Sequence, residues 1–550
     1  MLPVGSLFCQ NPDRLSSTPI NDVYDSIDVN NCKMLMGNDG ILSHNPQLGF
    51  SGFEWMKETK KFLVGREGML WSGLVSGVAT AGGSSRVTGL QAGKILPGGV
   101  PSDPNDPSAR IYKIRRLSRS DFFQLPLAEQ SRERNDFVQW PVLDGAPFID
   151  RDANGSYNPD FTKWLDDQSS SDAPFFPGDE VLWCVGNDMD PSRTASLYGA
   201  QPLGFEVHTL VWASTSPACL SNVVFSRHTI INKGNEDLVE AYFGIYVDIS
   251  LGDGGDDFVG IDTSLGMAYG YNGHGTDPIY GIPPAIGYLL LQAPIEKANP
   301  TQSAVYNFAT RHGYRNIPVS SFVFFGEENG LYREPVLGSA TGSFEMHQCM
   351  RGKKPDGSSY IDPVSGKPTN ICLAGDPVQN TGWNDGTLEA PGERRFVLAC
   401  GPVTFARGDT QEIVIARIAA LGSDRLGSVD KLRNIAPCVR NEFLSTHITS
   451  APALPPEDAR MQLEIFPSPC RWADVSVGKT PGILVSNPKE MPVSLSLSDV
   501  LGHQKRFYHA VITPGVHRIE IPRNLLDHPG IYFLTGVTQD GLVMKKLVIY

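Results

Sequence analysis

Runs of β-branched and aromatic residues recur along the whole chain, alternating with polar residues or unbroken over a few positions. Nearly all are closed by Gly, Pro, Asn or Asp. GFEVHTLVWAS, NVVFSRHTIINKG, VEAYFGIYVDIS, SFVFFG and TQEIVIARIAAL are the clearest. Such runs predict strands, because branched and aromatic side chains suit a pleated, half-buried surface and the closing residues suit turns. The main helical period lies at 428–443, with Leu432, Ile435 and Val439 on one face and Ser428 placed as an N-cap. Pro437 interrupts that pattern, so one helix and two shorter pieces are both open. No internal repeat of fixed period is visible. The class that follows is mainly β.

Proline-rich APALPPEDAR, residues 451–460, reads as a linker unable to hold a helix or a central strand. Beyond it, MQLEIFP, PVSLSLSDV, VHRIEIP, GIYFLTGV and VMKKLVIY predict a small immunoglobulin-like β-sandwich over 461–550. Ahead of the linker the pattern predicts a multi-domain sandwich body. Residues 1–315 form a β-rich region with room for more than one sandwich, and 316–450 form a second one ending in the helical segment.

Composition sharpens this picture in three places. The 56 glycines and 42 prolines fit short strands joined by many turns. Sixty acidic against 46 basic residues leave a net charge of −14, which repels phosphate backbones and argues against a nucleic-acid partner. No apolar run approaches the roughly 18 residues of a membrane helix, so no transmembrane segment is expected. The opening MLPVGSLFCQ has neither a basic nor an adequate apolar stretch, so a removed signal peptide or an upstream start is expected. None of the nine cysteines forms a C-x-x-C pair, which disfavours a zinc ribbon. In an oxidising compartment some would pair, in a connectivity the sequence leaves open.

Four ordered motifs mark the C-terminal segment: Phe466-Pro467-Ser468-Pro469, Ser498-Asp499-Val500-Leu501-Gly502, Pro529-Gly530-Ile531-Tyr532-Phe533 and Lys545-Lys546-Leu547-Val548. In this order the segment resembles the type A sorting domain of type IX secretion cargo from Bacteroidetes-like bacteria, with Ser468 where that family usually has asparagine. The body is similar to an uncharacterised class of such cargo at Ser51-Gly52-Phe53-Glu54-Trp55, at 89–96, at 253–260, at Gly375-Asp376-Pro377 and at 394–398. The resemblance implies secretion to the outer cell surface, with the type IX machinery engaging residues 461–550. It carries no activity.

Chemistry is concentrated in acidic segments. Asp150, Asp152 and Asn154 stand at positions 1, 3 and 5 of a calcium-type loop, with Gly155 at position 6 for the sharp turn. Phe161 holds the place of the usual bidentate glutamate, so Asp160 is the expected substitute and Ser156 the expected carbonyl donor. Asp248, Asp253, Asp256, Asp257 and Asp262, set among glycines, make a second candidate calcium site, since clustered carboxylates repel unless a cation screens them. Asp262 and His274 echo subtilisin-type motifs, but no nucleophile segment follows and a triad without its serine transfers no acyl group. Arg407-Gly408-Asp409 reads as a turn. Trp164, Trp183, Trp212 and Trp383 suit a core better than a sugar platform. No organic cofactor is expected.

Together these features predict a calcium-stabilised structural or adhesive surface protein, leaning away from catalysis, with self-association or a surface polysaccharide as its contacts. The rival reading is a secreted hydrolase or carbohydrate-binding protein whose site forms only in the fold.

Overall fold

The computed structural model describes residues 23–447, apart from 97, 153, 155 and 327–331. In the C-terminal part it describes 462–466, 470–476, 480–487, 491–499, 503–513, 515–538 and 541–550. Strand accounts for 45% and helix for 16%, so the chain is mainly β. It divides into two compact units. One comprises Met1–Phe148, Asp160–Gln168 and Pro174–Ala451; the other comprises Ile149–Pro159, Ser169–Ala173 and Pro452–Tyr550.

The long strands of the first unit are, in chain order, β1 (Phe62–Val75), β2 (Glu180–Asn187), β3 (Phe205–Ala213), β4 (Val223–Asn232), β5 (Leu238–Ile249) and β6 (Asp257–Asp262). They continue with β7 (Met267–Asn272), β8 (Ala285–Gln292), β9 (Val319–Phe325), β10 (Arg395–Phe405) and β11 (Thr410–Ala420). One nine-stranded sheet contains the order β1-β5-β10-β9, preceded by Tyr24–Ile27, Cys32–Gly37 and Ile41–Leu42. The other runs from Tyr112–Arg115 through β2-β3-β4-β11-β8-β7-β6. These long strands pair antiparallel throughout.

The two sheets face each other across one apolar core. Trp71 of β1 lies 5.5 Å from Phe205 of β3, and Tyr288 of β8 meets Phe396 of β10 edge-on at 5.5 Å. Such aromatic contacts lock sheet against sheet beyond the area they bury. β3 is buried at every position, and its polar residues Glu206, His208 and Thr209 are accordingly partnered, with Glu206 meeting His208 and Lys233 and Thr209 meeting His228.

Residue 315 does not separate two regions. β10 lies between β5 and β9, and β11 lies between β4 and β8, so segments 1–315 and 316–450 share both sheets. Pairing partners far apart in the chain leave no local trace, and the proposed division rested on local pattern alone.

The predicted helix is longer than its period suggested. It runs unbroken over Arg425–His447 and contains Pro437. Asp424 Oδ1 accepts from the backbone N–H groups of Leu426 and Gly427, both at 2.9 Å, so the start is capped four residues ahead of the expected place. Ser428 lies inside the helix, buried, and its hydroxyl donates to Pro283 O at 2.8 Å. Val429, Leu432, Ala436, Val439 and Phe443 form the buried face. Pro437 sits on the exposed side of the helix. The adjacent Cys438 is bonded to Cys219, and the six other described cysteines are free and buried.

In the second unit, β12 (Gln462–Phe466), β13 (Gly482–Asn487), β14 (Met491–Asp499), β15 (Gln504–Ile512), β16 (Gly515–Glu520), β17 (Gly530–Thr538) and β18 (Gly541–Ile549) form two sheets. Their orders are β12-β13-β16 and β15-β14-β17-β18. Leu463, Val485, Val493, Leu495, Leu534 and Leu547 fill the space between them, giving a seven-stranded sandwich of immunoglobulin size. Tyr532 is buried and its hydroxyl donates to His528 O at 2.9 Å, pinning the entry to β17. The linker 451–460, Pro467-Ser468-Pro469 and Val500-Leu501-Gly502 lie outside the described residues.

Candidate metal centre

Three carboxylates converge in the loop segments of the second unit. One oxygen from each of Asp150, Asp152 and Asp172 lies within 4.8 Å of the others. Asp172 is the buried member and ties the loop together. Its Oδ1 accepts from Arg151 N at 2.8 Å and its Oδ2 from Asn158 N at 3.0 Å.

Asn154 is woven into the same group. Its backbone N–H points at Asp150 Oδ1 and Asp152 Oδ1, both at 3.2 Å. Its side-chain amide donates to Asp152 Oδ2 at 2.7 Å and to Asn158 Oδ1 at 2.9 Å. The Asn154 Oδ1 accepts from Ser156 N at 2.7 Å. These turns are those that positions 1, 3 and 5 of an oxygen-lined loop generate when alternate residues face inward. Burial and the charge of Asp172 push the Tyr157 phenol well above its usual range, so its ring borders the cluster as a neutral wall.

Asp160 is engaged elsewhere. It caps the short helix α1 (Phe161–Asp166), with Oδ1 accepting from Lys163 N at 3.0 Å, and that backbone bond holds its carboxyl below the usual range. Asp172, 12 residues further along the sequence than Asp160, completes the set instead. No spacing rule links position 150 to position 172; only the folded loop does.

The second acidic set is dispersed among the described residues. Asp248 faces Arg395, with Oδ1 3.2 Å from Nε, and burial pushes its carboxyl up to about 6. Asp262 stands 3.3 Å from Arg433 Nε through Oδ2, and its Oδ1 accepts from Ser264 N. Asp253 Oδ1 closes a turn on Gly255 N. Asp256 and Asp257, at the start of β6, are buried. His274 meets Asp256 rather than Asp262, at 2.9 Å, which removes the remaining protease echo.

The other sequence features take structural roles. Trp164, Trp183, Trp212 and Trp383 are all buried and build core. Gly408 has φ +83°, and Ala406 N donates to Asp409 Oδ2, so Arg407-Gly408-Asp409 is a turn. A recess is lined by Trp212, Phe225, Ser214, Ser216 and Glu442.

No protein-family model matches the chain, and no curated protein matches it in sequence. Among solved structures, a polysaccharide lyase superposes with a TM-score of 0.18 at 7% identity, covering 62% of this chain and 34% of the lyase. This chain thus spans about a third of that protein. The C-terminally truncated trimeric ectodomain of the C. elegans fusion protein EFF-1 superposes with a TM-score of 0.12 at 9% identity, covering 97% and 95%. Likenesses of this size establish no shared fold, and no activity passes from either protein to this chain.

Proposed function

We propose that the chain is a secreted, outer-surface protein of structural or adhesive role, stabilised by calcium at Asp150, Asp152, Asp172 and Asn154. Residues 461–550 are its address, read by the type IX machinery. The convergence of three carboxylates within 4.8 Å carries the calcium reading. Two backbone N–H groups donate to Asp172 and the amide of Asn154 donates to Asp152, which orients the carboxylates within the loop. An all-oxygen set fits calcium, which takes six to eight oxygens at variable angles, better than magnesium with its rigid octahedron. The unfolded chain lacks the site, so calcium at a hundredfold excess over Kd would add about 2.7 kcal/mol.

Thermal melting with calcium and with chelator tests this in the parent, Asp172→Asn and Asp160→Asn. The parent and Asp160→Asn should both lose midpoint on chelation, whereas Asp172→Asn should not respond at this loop. An unresponsive parent overturns the calcium reading. For the address, deletion of 461–550 should leave a folded body held in the periplasm, and normal surface delivery of that body overturns it.

A further inference from the structure

A second oxygen-lined place lies in the first unit, at the pairing of β6 with β7. Asp257 and Asn272 are directly opposed in that ladder, so their side chains leave the same face of the sheet. Both are fully excluded from solvent. Asp257 Oδ2 accepts from Leu251 N at 3.1 Å, while its Oδ1 has no hydrogen-bond partner. Asn272 donates its amide N–H to Asp256 Oδ1 at 2.7 Å, and its own carbonyl oxygen is likewise without a partner. Two opposed residues of one ladder thus each carry a buried acceptor without a donor, a costly arrangement in a protein interior.

The surroundings add negative charge rather than relieve it. Asp256 is buried and Asp277 close by, although Asp277 is satisfied by the backbone N–H groups of Asp253, Ile279 and Tyr280. Arg394 is committed to Asp385 through Nε at 2.9 Å and Nη2 at 3.2 Å, and Arg425 Nη1 donates to the backbone carbonyl of Asn272 at 3.2 Å, not to its side chain. His274 lies outside, on Asp256. Burial, with Asp256 and Asp277 beside it, drives the Asp257 carboxyl far above its usual range. The glycine turn at 250–256 lies directly on this group. A Cβ on Gly252 would stand 2.5 Å from Asp277 Oδ1, and its φ of +67° suits glycine.

We infer that Asp257 and Asn272, with Asp256 beside them, form a second, buried site for a hard divalent cation, calcium by its oxygen donors. It is independent of the loop at Asp150, Asp152 and Asp172. Only that loop brings three carboxylates within 4.8 Å among the described residues, so here an amide oxygen takes the place of a third carboxylate. A cation between Asp257 Oδ1 and Asn272 Oδ1 satisfies both orphaned acceptors at once. The rival occupant is a proton on Asp257 shared with Asn272.

Calcium bound to the purified full chain is measured by equilibrium dialysis after chelator treatment, in the parent, Asp172→Asn, Asp257→Asn and the double variant. Each single variant is expected to lose one equivalent, and the double variant both. In the Asp172→Asn background calcium should still raise the melting midpoint by several degrees. Should Asp257→Asn not fold, Asp256→Asn, which retains side-chain size, replaces it and should weaken the remaining calcium affinity at least tenfold in that background. Asp257→Asn with the full parental stoichiometry overturns the inference, as does an Asp172→Asn protein that binds no calcium. If Asp257→Asn instead leaves calcium binding intact and flattens a pH-dependent melting profile, the occupant is a proton and the cation site is refuted. Failure of the first loop alone appears differently, as Asp172→Asn retaining the parental stoichiometry.

Discussion

Glu67 of β1 and Arg417 of β11 form a fully buried ion pair between the two large sheets, with Arg417 Nε donating to Glu67 Oε2 at 2.8 Å. Nη2 stands 2.7 Å from the same oxygen but has no hydrogen well aimed at it. The pair is held from both sides. The Ser43 hydroxyl donates to Glu67 Oε1, and Arg417 Nη1 donates to Ser226 Oγ at 2.8 Å. Charges taken this far from water are retained only when each finds its partner, so the pair specifies how the sheets align more than it adds stability.

Glu67→Gln should therefore destabilise the body by about 3–5 kcal/mol, because the Arg417 charge stays buried without its counter-charge. The double variant Glu67→Leu/Arg417→Met should recover much of that loss. Urea unfolding of the three proteins decides it. A double variant as unstable as the single one would show that the polar pair itself, not the unpaired charge, carries the stability.

Removal of the Cys219–Cys438 bond should be felt throughout the first unit. The bond closes a loop of 219 residues between the turn at Ala218–Leu220 and the long helix. Confining so long a loop in the unfolded chain contributes up to about 5 kcal/mol in the chain-entropy picture. Cys438→Ser and reductant should lower the melting midpoint equally, and reductant should add nothing to the variant. A variant that melts like the parent would leave the bond without a stabilising role.

His228 sets an acid limit on the body. Burial, together with the Arg417 charge, pushes its imidazole from 6.5 down to about 3. The unfolded ring takes up a proton near 6.5 and the folded ring only near 3, so the unfolded state binds more protons between those values. Stability from this group is complete above pH 6.5 and is lost as pH falls toward 3. Asp188, pushed up to about 6 by burial, acts in the opposite sense: its contribution is complete below 3.8 and is lost as pH rises through 6. Urea midpoints measured from pH 4 to pH 7 should fall less steeply toward acid in His228→Gln than in the parent. Parallel profiles would exclude His228 as the source.

Asn154→Asp should tighten calcium binding at the first loop. At present the amide nitrogen of Asn154 faces Asp152 as a neutralising donor. A carboxylate there increases repulsion without the ion and attraction with it, so the gap between chelated and loaded melting midpoints should widen. An unchanged gap would place Asn154 outside the coordination shell. Asp160→Asn should cost at most about 1 kcal/mol as a helix-cap change, with the calcium response intact.

The strands were readable because their chemistry is local. TQEIVIARIAAL and VEAYFGIYVDIS carry in a few residues the branched and aromatic content that β11 and β5 need. The helix end was misread because Ser428 and Asp424 are both good caps, and only the buried hydroxyl bond to Pro283 decides between them. Three members of the first acidic group, Asp150, Asp152 and Asn154, were visible by spacing. Asp172 was not, since a loop closes in space without a fixed count of residues. Asp248 and Asp262 left the five-carboxylate set for a related reason: neighbours in sequence on a strand and its turns face different partners, Arg395 for Asp248 and Arg433 for Asp262.

The interior placement of β10 and β11 turns sheet order into a matter of timing. As synthesis proceeds, β5 and β9 wait for β10, and β4 and β8 wait for β11, so one sheet closes only once Phe405 has emerged and the other only once Ala420 has. Contacts this distant in sequence make folding slow. A nascent or truncated body ending before Arg395 would expose four open strand edges, and its fate is aggregation or capture by a chaperone. A keystone pair made last is a delay built into the closing of this body.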